Sequence, residues 1–159
     1  MKIGVDPGIG GAIAVLQSDY MECEGLFDMP VMTLGKNKHQ VNAAELTKIL
    51  RRFQRPDYPS LEQPTVYIEQ VNAMPGQGVS SMFNFGMGYG VVQGVCAALG
   101  YPLVLVRPNA WKKIAGLIGK PKEAARTLAQ QLYPEQDLSL KKHVGRADAL
   151  LIARFGFLC

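Results

Sequence analysis

Cysteine is scarce in this sequence: Cys23, Cys96 and Cys159 are the only three among 159 residues. The number is odd and no CxxC pair occurs, which argues against a disulfide framework and against a thiolate zinc site. No charged residue lies between Gln70 and Val106, a gap that raises the question of a membrane span. No clean apolar run of about 20 residues survives there. Pro75 and Pro102 bound the stretch, and Gly76, Gly78, Gly86, Gly88, Gly90, Gly94 and Gly100 interrupt it. Asn72, Gln77, Asn84 and Gln93 add polar groups, so a buried core helix is the better reading. The sequence opens on MKIGVDPG, a strand pattern, so no leader of basic, apolar and cleavage segments is expected. A reduced, cytoplasmic setting is the expectation.

The composition is that of a globular protein. Apolar residues make up 48%, charged residues 19%, and the mean hydropathy is +0.04. The length predicts a single domain over 1–159 with a real core. Net charge is only +4, but it is unevenly spread. Residues 1–106 carry 7 Lys/Arg against 9 Asp/Glu, while residues 107–159 carry 10 against 4. Such asymmetry hints at a polyanionic partner, although a solvated basic face would give the same count.

Short apolar runs at 2–6, 11–16 and 23–29 predict three closely joined strands, most simply an antiparallel meander. Pro7 to Gly11 supply the first turn. A polar loop is expected over 31–40, then a helix over 43–54 capped by Asn42, with Leu46, Ile49, Leu50 and Phe53 on one face. Asp57 to Pro59 and Pro64 mark a loop before a strand at 65–69. A Gly/Pro loop over 71–78 leads to a helix starting at Ser80 or Ser81 and ending near Leu99. A strand at 101–106 and helices at 109–117, 121–132 and 145–156 complete the chain. The fold class is α/β with a mixed five-stranded sheet flanked by helices.

Asp6 ends the first strand and Glu69 the fourth. The meander leaves strand one at a border, and a right-handed crossover can bring the fourth strand beside it. Ligands of open α/β sheets gather beyond the carboxyl ends of strands, where strand order reverses. Two carboxylates placed side by side repel unless a cation or proton lies between them. Carboxylates ending strands at the surface are also common. Asp148 shares a helix face with Leu151, Ile152 and Phe155, so it points toward the sheet. There it needs a partner, either a metal ion or a hydrogen-bond donor. His143, five residues earlier, can approach the same point. Such an oxygen-rich pocket suits Mg²⁺ or Mn²⁺. Two ions about 4 Å apart can activate water and stabilise the leaving oxygen of a phosphodiester. Arg107, Lys112, Lys113, Lys120, Lys122, Arg126, Lys141, Lys142 and Arg146 form the basic half that can contact a DNA backbone.

The segments IGVDPGIGGAIAVL (3–16), YIEQV (67–71), GQGVSSMFNFGMGYGVVQG (76–94), VRPNAWKK (106–113) and GRADALLIA (145–153) occur in an order that resembles the RuvC-like Holliday junction resolvases. The small phage and poxvirus-type members are the nearest in pattern. The resemblance implies a ribonuclease H-like fold, a homodimer, and Mg²⁺-dependent symmetric cutting of four-way DNA junctions, as in recombination and repair. By position it assigns the metal-holding catalytic roles to Asp6, Glu69 and Asp148. Many members carry a further acidic residue where this chain has Val144 and Gly145, and His143 is the natural substitute as ligand or proton carrier. No small-molecule cofactor and no membrane are expected.

Gly86, Gly90, Gly94 and Ala98 form a small-residue stripe that suits a dimer seam or close packing within the chain. Met74, Met82, Phe83 and Phe85 lie near the Gly-rich mouth after Glu69. Phe83 is the candidate wedge into the junction, although aromatics at this spacing are more commonly core. Two further readings compete: a junction-binding protein with weak or no cleavage, and a ribonuclease acting on RNA–DNA hybrids. DPGIGG also resembles the phosphate hairpin of actin-type kinases, but this chain lacks the second half such folds need.

Overall fold

The computed structural model describes residues 1–17, 19–36, 38–54, 63–72, 76 and 78–159. β1 (Lys2–Asp6), β2 (Ala12–Leu16) and β3 (Cys23–Asp28) form the antiparallel meander. A small hairpin follows, β4 (Val31–Gly35) and β5 (Lys38–Val41), then α1 (Ala43–Arg51). β6 (Thr65–Glu69) runs parallel to β1, and β7 (Leu103–Val106) runs parallel to β6. Between them lies α2 (Val79–Ala98); after them come α3 (Pro108–Ile114), α4 (Ala124–Leu132) and α5 (Val144–Phe155). The five-stranded order is β3-β2-β1-β6-β7, the mixed sheet that the apolar runs predict. No helix among the described residues is long and apolar enough to cross a membrane.

Strand periodicity decides which side chains go where. Successive side chains alternate between faces. Ile3 and Val5 of β1, with Val66 and Ile68 of β6, join the core under α1 and α2. Gly4 and Asp6, with Tyr67 and Glu69, therefore point to the other face, against α5. There Ala12, Ala14 and Leu16 of β2 pack with Ala149 to Ala153 of α5, Ala125 and Ala129 of α4, and Trp111. β2 is buried along its whole length because helices cover both of its faces.

Two close approaches seat α5. A Cβ at Gly4 would overlap the Ala149 carbonyl and the Ala153 amide, so the bare glycine lets the helix lie directly on β1. A Cβ at Gly145 would overlap the Gly10 carbonyl, so the start of α5 presses on the β1–β2 turn. Arg146 then ties the helix start to β3, with Nε and Nη2 donating to Asp28 Oδ1 and Oδ2 at 2.6 and 2.8 Å.

Three local expectations change. The stretch expected as a polar loop, 31–40, contains the β4–β5 hairpin. All of β4 is exposed and Val41 is the only buried residue of β5, so no buried run marks it as strand. α2 starts after Gly78 with no side-chain cap, not at Ser80 or Ser81. Phe83 and Phe85, commonly core at such spacing, are 70% and 36% exposed, because α2 meets the core through its later turns, at Gly88, Val92 and Cys96 with Tyr89, Val91 and Val95 beside them. Asn42 caps α1 as expected, accepting from the Glu45 amide at 3.2 Å. Met74 and residues 57–59 lie outside the described residues.

Candidate active site

Asp6 and Glu69 follow the paired residues Val5 and Ile68 on adjacent parallel strands. Both stand at the carboxyl ends of their strands and both face α5. Asp6 is fixed by the turn that follows it. The Gly8 amide donates to Asp6 Oδ1 at 3.2 Å, and the Gly11 amide closes the turn on the Gly8 carbonyl at 2.9 Å. A Cβ at Gly11 would overlap the Asp6 carbonyl, so the turn needs glycine there. Glu69 is fixed from the side: Trp111 Nε1 donates to Glu69 Oε1 at 3.0 Å. Asp148 reaches the same place from the second turn of α5, which Gly4 and Gly145 hold against the sheet.

The charge of Glu69 acts on Asp6, and those of Asp6 and Glu69 act on Asp148. Burial first, then the charges of Asp6 and Glu69, push the Asp148 carboxyl up to about 7. Burial also pushes Asp6 up to about 6, helped by Glu69 and opposed by the Gly8 amide and Lys112. Lys112 and Lys122 act in the opposite sense on Asp148. None of the three carboxylates forms an ion pair with Lys, Arg or His among those the described residues make. Half-buried carboxylates that act on one another in this way are costly until a cation or a proton relieves them.

The donor set fits a hard divalent cation in kind and in charge, because carboxylate oxygens are what Mg²⁺ and Mn²⁺ prefer. Among the described residues, no three His, Cys, Asp or Glu side chains close tightly enough to hold an ion as they stand. The carboxylates therefore share a field without yet forming a ligand shell.

The expected lysines divide. Lys112, Lys120 and Lys122 line a cleft of about 150 Å³ with Asp148, Val144 and Pro121. Lys113 is exposed on α3, and Arg107 is exposed at the N-cap of that helix, just past the end of β7. Lys141 and Lys142 are exposed in the turn before α5, and Lys142 acts on Asp28 rather than on the carboxylate group. Two further cations read as free for DNA have partners inside the protein. Arg146 is paired with Asp28, and Arg126 Nη1 donates to the carbonyls of Leu138 and Ser139 at 3.0 and 2.9 Å.

His143 does not join the carboxylates. Its ring is buried, its Nδ1 accepts from the Leu140 amide at 3.4 Å, and that nitrogen lies 3.6 Å from Asp137 Oδ1. The groups it acts on are Asp28 and Asp137; it is not among the charges acting on Asp6 or Asp148. His143 lies in the 3-10 turn before α5, outside the helical period that turns Asp148 toward the sheet.

The sequence motifs assign no role to Trp111, which lies within VRPNAWKK, yet it is the hydrogen-bond partner of Glu69. Phe85 Cε2 and Asp6 Oδ1 both lie 3.6 Å from the position a Cβ would take at Gly8, so Phe85 stands beside Asp6 at the mouth. Phe83, two residues earlier, projects into solvent.

No protein-family model matches the chain. Over 90 residues, 55% of this chain, it is 37% identical to the Holliday junction resolvase MOC1, chloroplastic, of Chlamydomonas reinhardtii. The chain spans 10% of that protein's length. A solved structure of Thermus thermophilus RuvC superimposes with a TM-score of 0.61 at 20% identity, covering 95% of this chain and 89% of that one. A second, T. thermophilus RuvC in complex with a Holliday junction substrate, gives 0.64 at 19% identity, covering 95% and 88%. The chain thus has the ribonuclease H-like fold of those structures.

Proposed function

We propose that this chain is a divalent-metal-dependent endonuclease that cuts four-way DNA junctions. The observation that carries this reading is the convergence of Asp6, Glu69 and Asp148 on one sheet face, with Lys112, Lys120 and Lys122 beside them. Its similarity to a Holliday junction resolvase supports the choice of substrate.

In this reading Asp6, Glu69 and Asp148 would hold the ion or ions. Mg²⁺ or Mn²⁺ bound there supplies an activated water and a charge that stabilises the leaving oxygen of the phosphodiester. The protein's own contributions are positional. Gly8 and Trp111 each fix one oxygen of a carboxylate, which leaves the other oxygen available. Lys112, Lys120 and Lys122 receive backbone phosphates around the cut, and Arg107, Lys113, Lys141 and Lys142 extend the cationic surface. Phe83 and Phe85 offer apolar faces at the mouth for an unstacked base step.

A junction with two-fold symmetry calls for a second copy of the chain. The seam would be the uncovered side of α2, where a Cβ at Gly86, Gly90 or Gly94 would meet nothing within 4 Å.

The test is a labelled synthetic four-way junction incubated with and without Mg²⁺, with nicks mapped on all four strands. Paired nicks on opposing strands are the expected result. The second reading, a junction-binding protein without useful cleavage, draws on Val144 and Gly145 at the position of a further acidic group and on the orientation of His143. A gel shift with no nicks in either Mg²⁺ or Mn²⁺ would replace the first reading by the second.

A further inference from the structure

Trp111 is the only tryptophan of the chain and is fully buried. Its indole N–H is a donor only, so it can neither hold an ion nor take a proton. That single N–H is spent on Glu69 Oε1. The last torsion of a glutamate is broad and nearly two-fold. One fixed donor on one oxygen removes that freedom and leaves Oε2 without a hydrogen bond among the described residues. The same ring has a second neighbour, because Lys112 Nζ lies 5.1 Å from its centroid, within cation–π range. Lys112 is in turn the cation that acts on both Asp6 and Asp148.

The placement of the ring follows from the strand register. Glu69 pairs with Val106, and the Gln70 amide donates to the Val106 carbonyl at 2.7 Å. α3 begins two residues after Val106, with Pro108 at its start. Its first turn carries Trp111 over the end of β6, and Lys112 follows immediately.

We propose that Trp111 is a positioning residue that orients the Glu69 carboxylate and the Lys112 ammonium from one buried ring. The proposal rests on the nuclease reading above and deepens it. Trp111 touches neither DNA nor ion; it acts through the two groups it holds. Outer partners of metal ligands commonly change metal affinity or activity about 10- to 100-fold when removed.

The intact chain carries its own reporter. With one tryptophan, a ¹⁵N-labelled sample gives one indole N–H resonance. Titrated with Mg²⁺, that resonance is expected to move and to saturate over the same concentrations that saturate cleavage. In E69Q the movement is expected to be lost. The variant Trp111→Phe keeps a buried ring and removes the N–H. Its half-saturating Mg²⁺ concentration is expected to rise about 10-fold or more. Cleavage by the parent chain with an unmoved indole resonance would overturn this proposal alone. So would a folded Trp111→Phe with an unchanged Mg²⁺ midpoint. No cleavage together with an unmoved resonance would retire the nuclease reading as well. If Trp111→Phe does not fold, the resonance of the parent chain still decides.

Discussion

Replacing Asp148 by Asn is expected to end cleavage and, in the absence of metal, to make the protein more stable. Burial and the charges of Asp6 and Glu69 lift the Asp148 carboxyl from 3.8 to about 7. The folded state therefore holds this proton more tightly than the unfolded chain does. The resulting stability is complete below the ordinary Asp range and is lost as pH rises through about 7. At about 1.4 kcal/mol per pH unit, the lift amounts to about 4 kcal/mol of destabilisation once the carboxylate is ionised. Asn matches the shape of the group and cannot ionise, so most of that cost disappears. For a chain of this length about 1 kcal/mol corresponds to roughly 2–4 °C in Tm. In chelator at pH 8, D148N is thus expected to melt about 10 °C above the parent. At pH 5 the folded group is neutral but the unfolded one is still mostly ionised, so the gap narrows to less than half, and it closes only below the ordinary Asp range. Circular-dichroism melts at the two pH values measure this directly. Added Mg²⁺ is expected to raise the Tm of the parent at pH 8 and to do much less for the variant. A variant that melts at or below the parent at pH 8, or a gap independent of pH, would refute the shared field of the three carboxylates.

Lys120→Ala combined with Lys122→Ala is expected to weaken junction binding and to make the slope of log K against log salt shallower by about 2, read from gel shifts at several NaCl concentrations. An unchanged slope would take these lysines off the DNA path. His143→Ala is expected to lower the Tm while leaving turnover close to that of the parent. A fall of about 100-fold or more with a native melt would restore His143 to the chemistry. Gly4→Ala is expected to cost about 3 kcal/mol in urea unfolding, because its Cβ would meet the backbone of α5 at Ala149 and Ala153. A neutral result would mean that α5 does not lie as closely on β1 as described.

The sheet was legible because its strands are short apolar runs with clear punctuation. AIAVL is covered on both faces, TVYIE alternates buried and half-buried positions beside β1, and LVLV is an edge strand anchored by Val106 with Val104 and Leu105 exposed. The meander followed by a helical crossover leaves few arrangements, and β6 beside β1 is the one adopted. The β4–β5 hairpin escaped for the opposite reason. It is a two-stranded ribbon whose exposed residues, Lys36 and Lys38 among them, read as loop, and only Val41 is anchored in the core. The start of α2 escaped because Gly78 offers no side chain to announce a cap and the first helical residue, Val79, is 85% exposed.

For the site, the decisive difference is between positions fixed by a period and positions fixed by a partner. Asp6 and Glu69 end strands whose alternation assigns each side chain a face, and Asp148 shares a helix face with core residues, so simple counting brings all three to one surface. His143 sits in the turn before α5, where no period applies. Its ring is buried in the protein, where Nδ1 accepts from the Leu140 amide. Arg146 likewise reads as a free cation until β3 brings Asp28 across 118 residues of sequence to meet it. Trp111 is the intermediate case. Its partner depends on the register of Glu69 against Val106, which sequence alone does not fix, yet a lone tryptophan directly before two lysines is itself an anomaly in a basic segment. Such a ring, too large to be left in water and too polar at one edge to be buried unpaired, must find an acceptor inside the protein. In this fold the nearest acceptor is a carboxylate of the site, so the residue that fills the core also orients the chemistry.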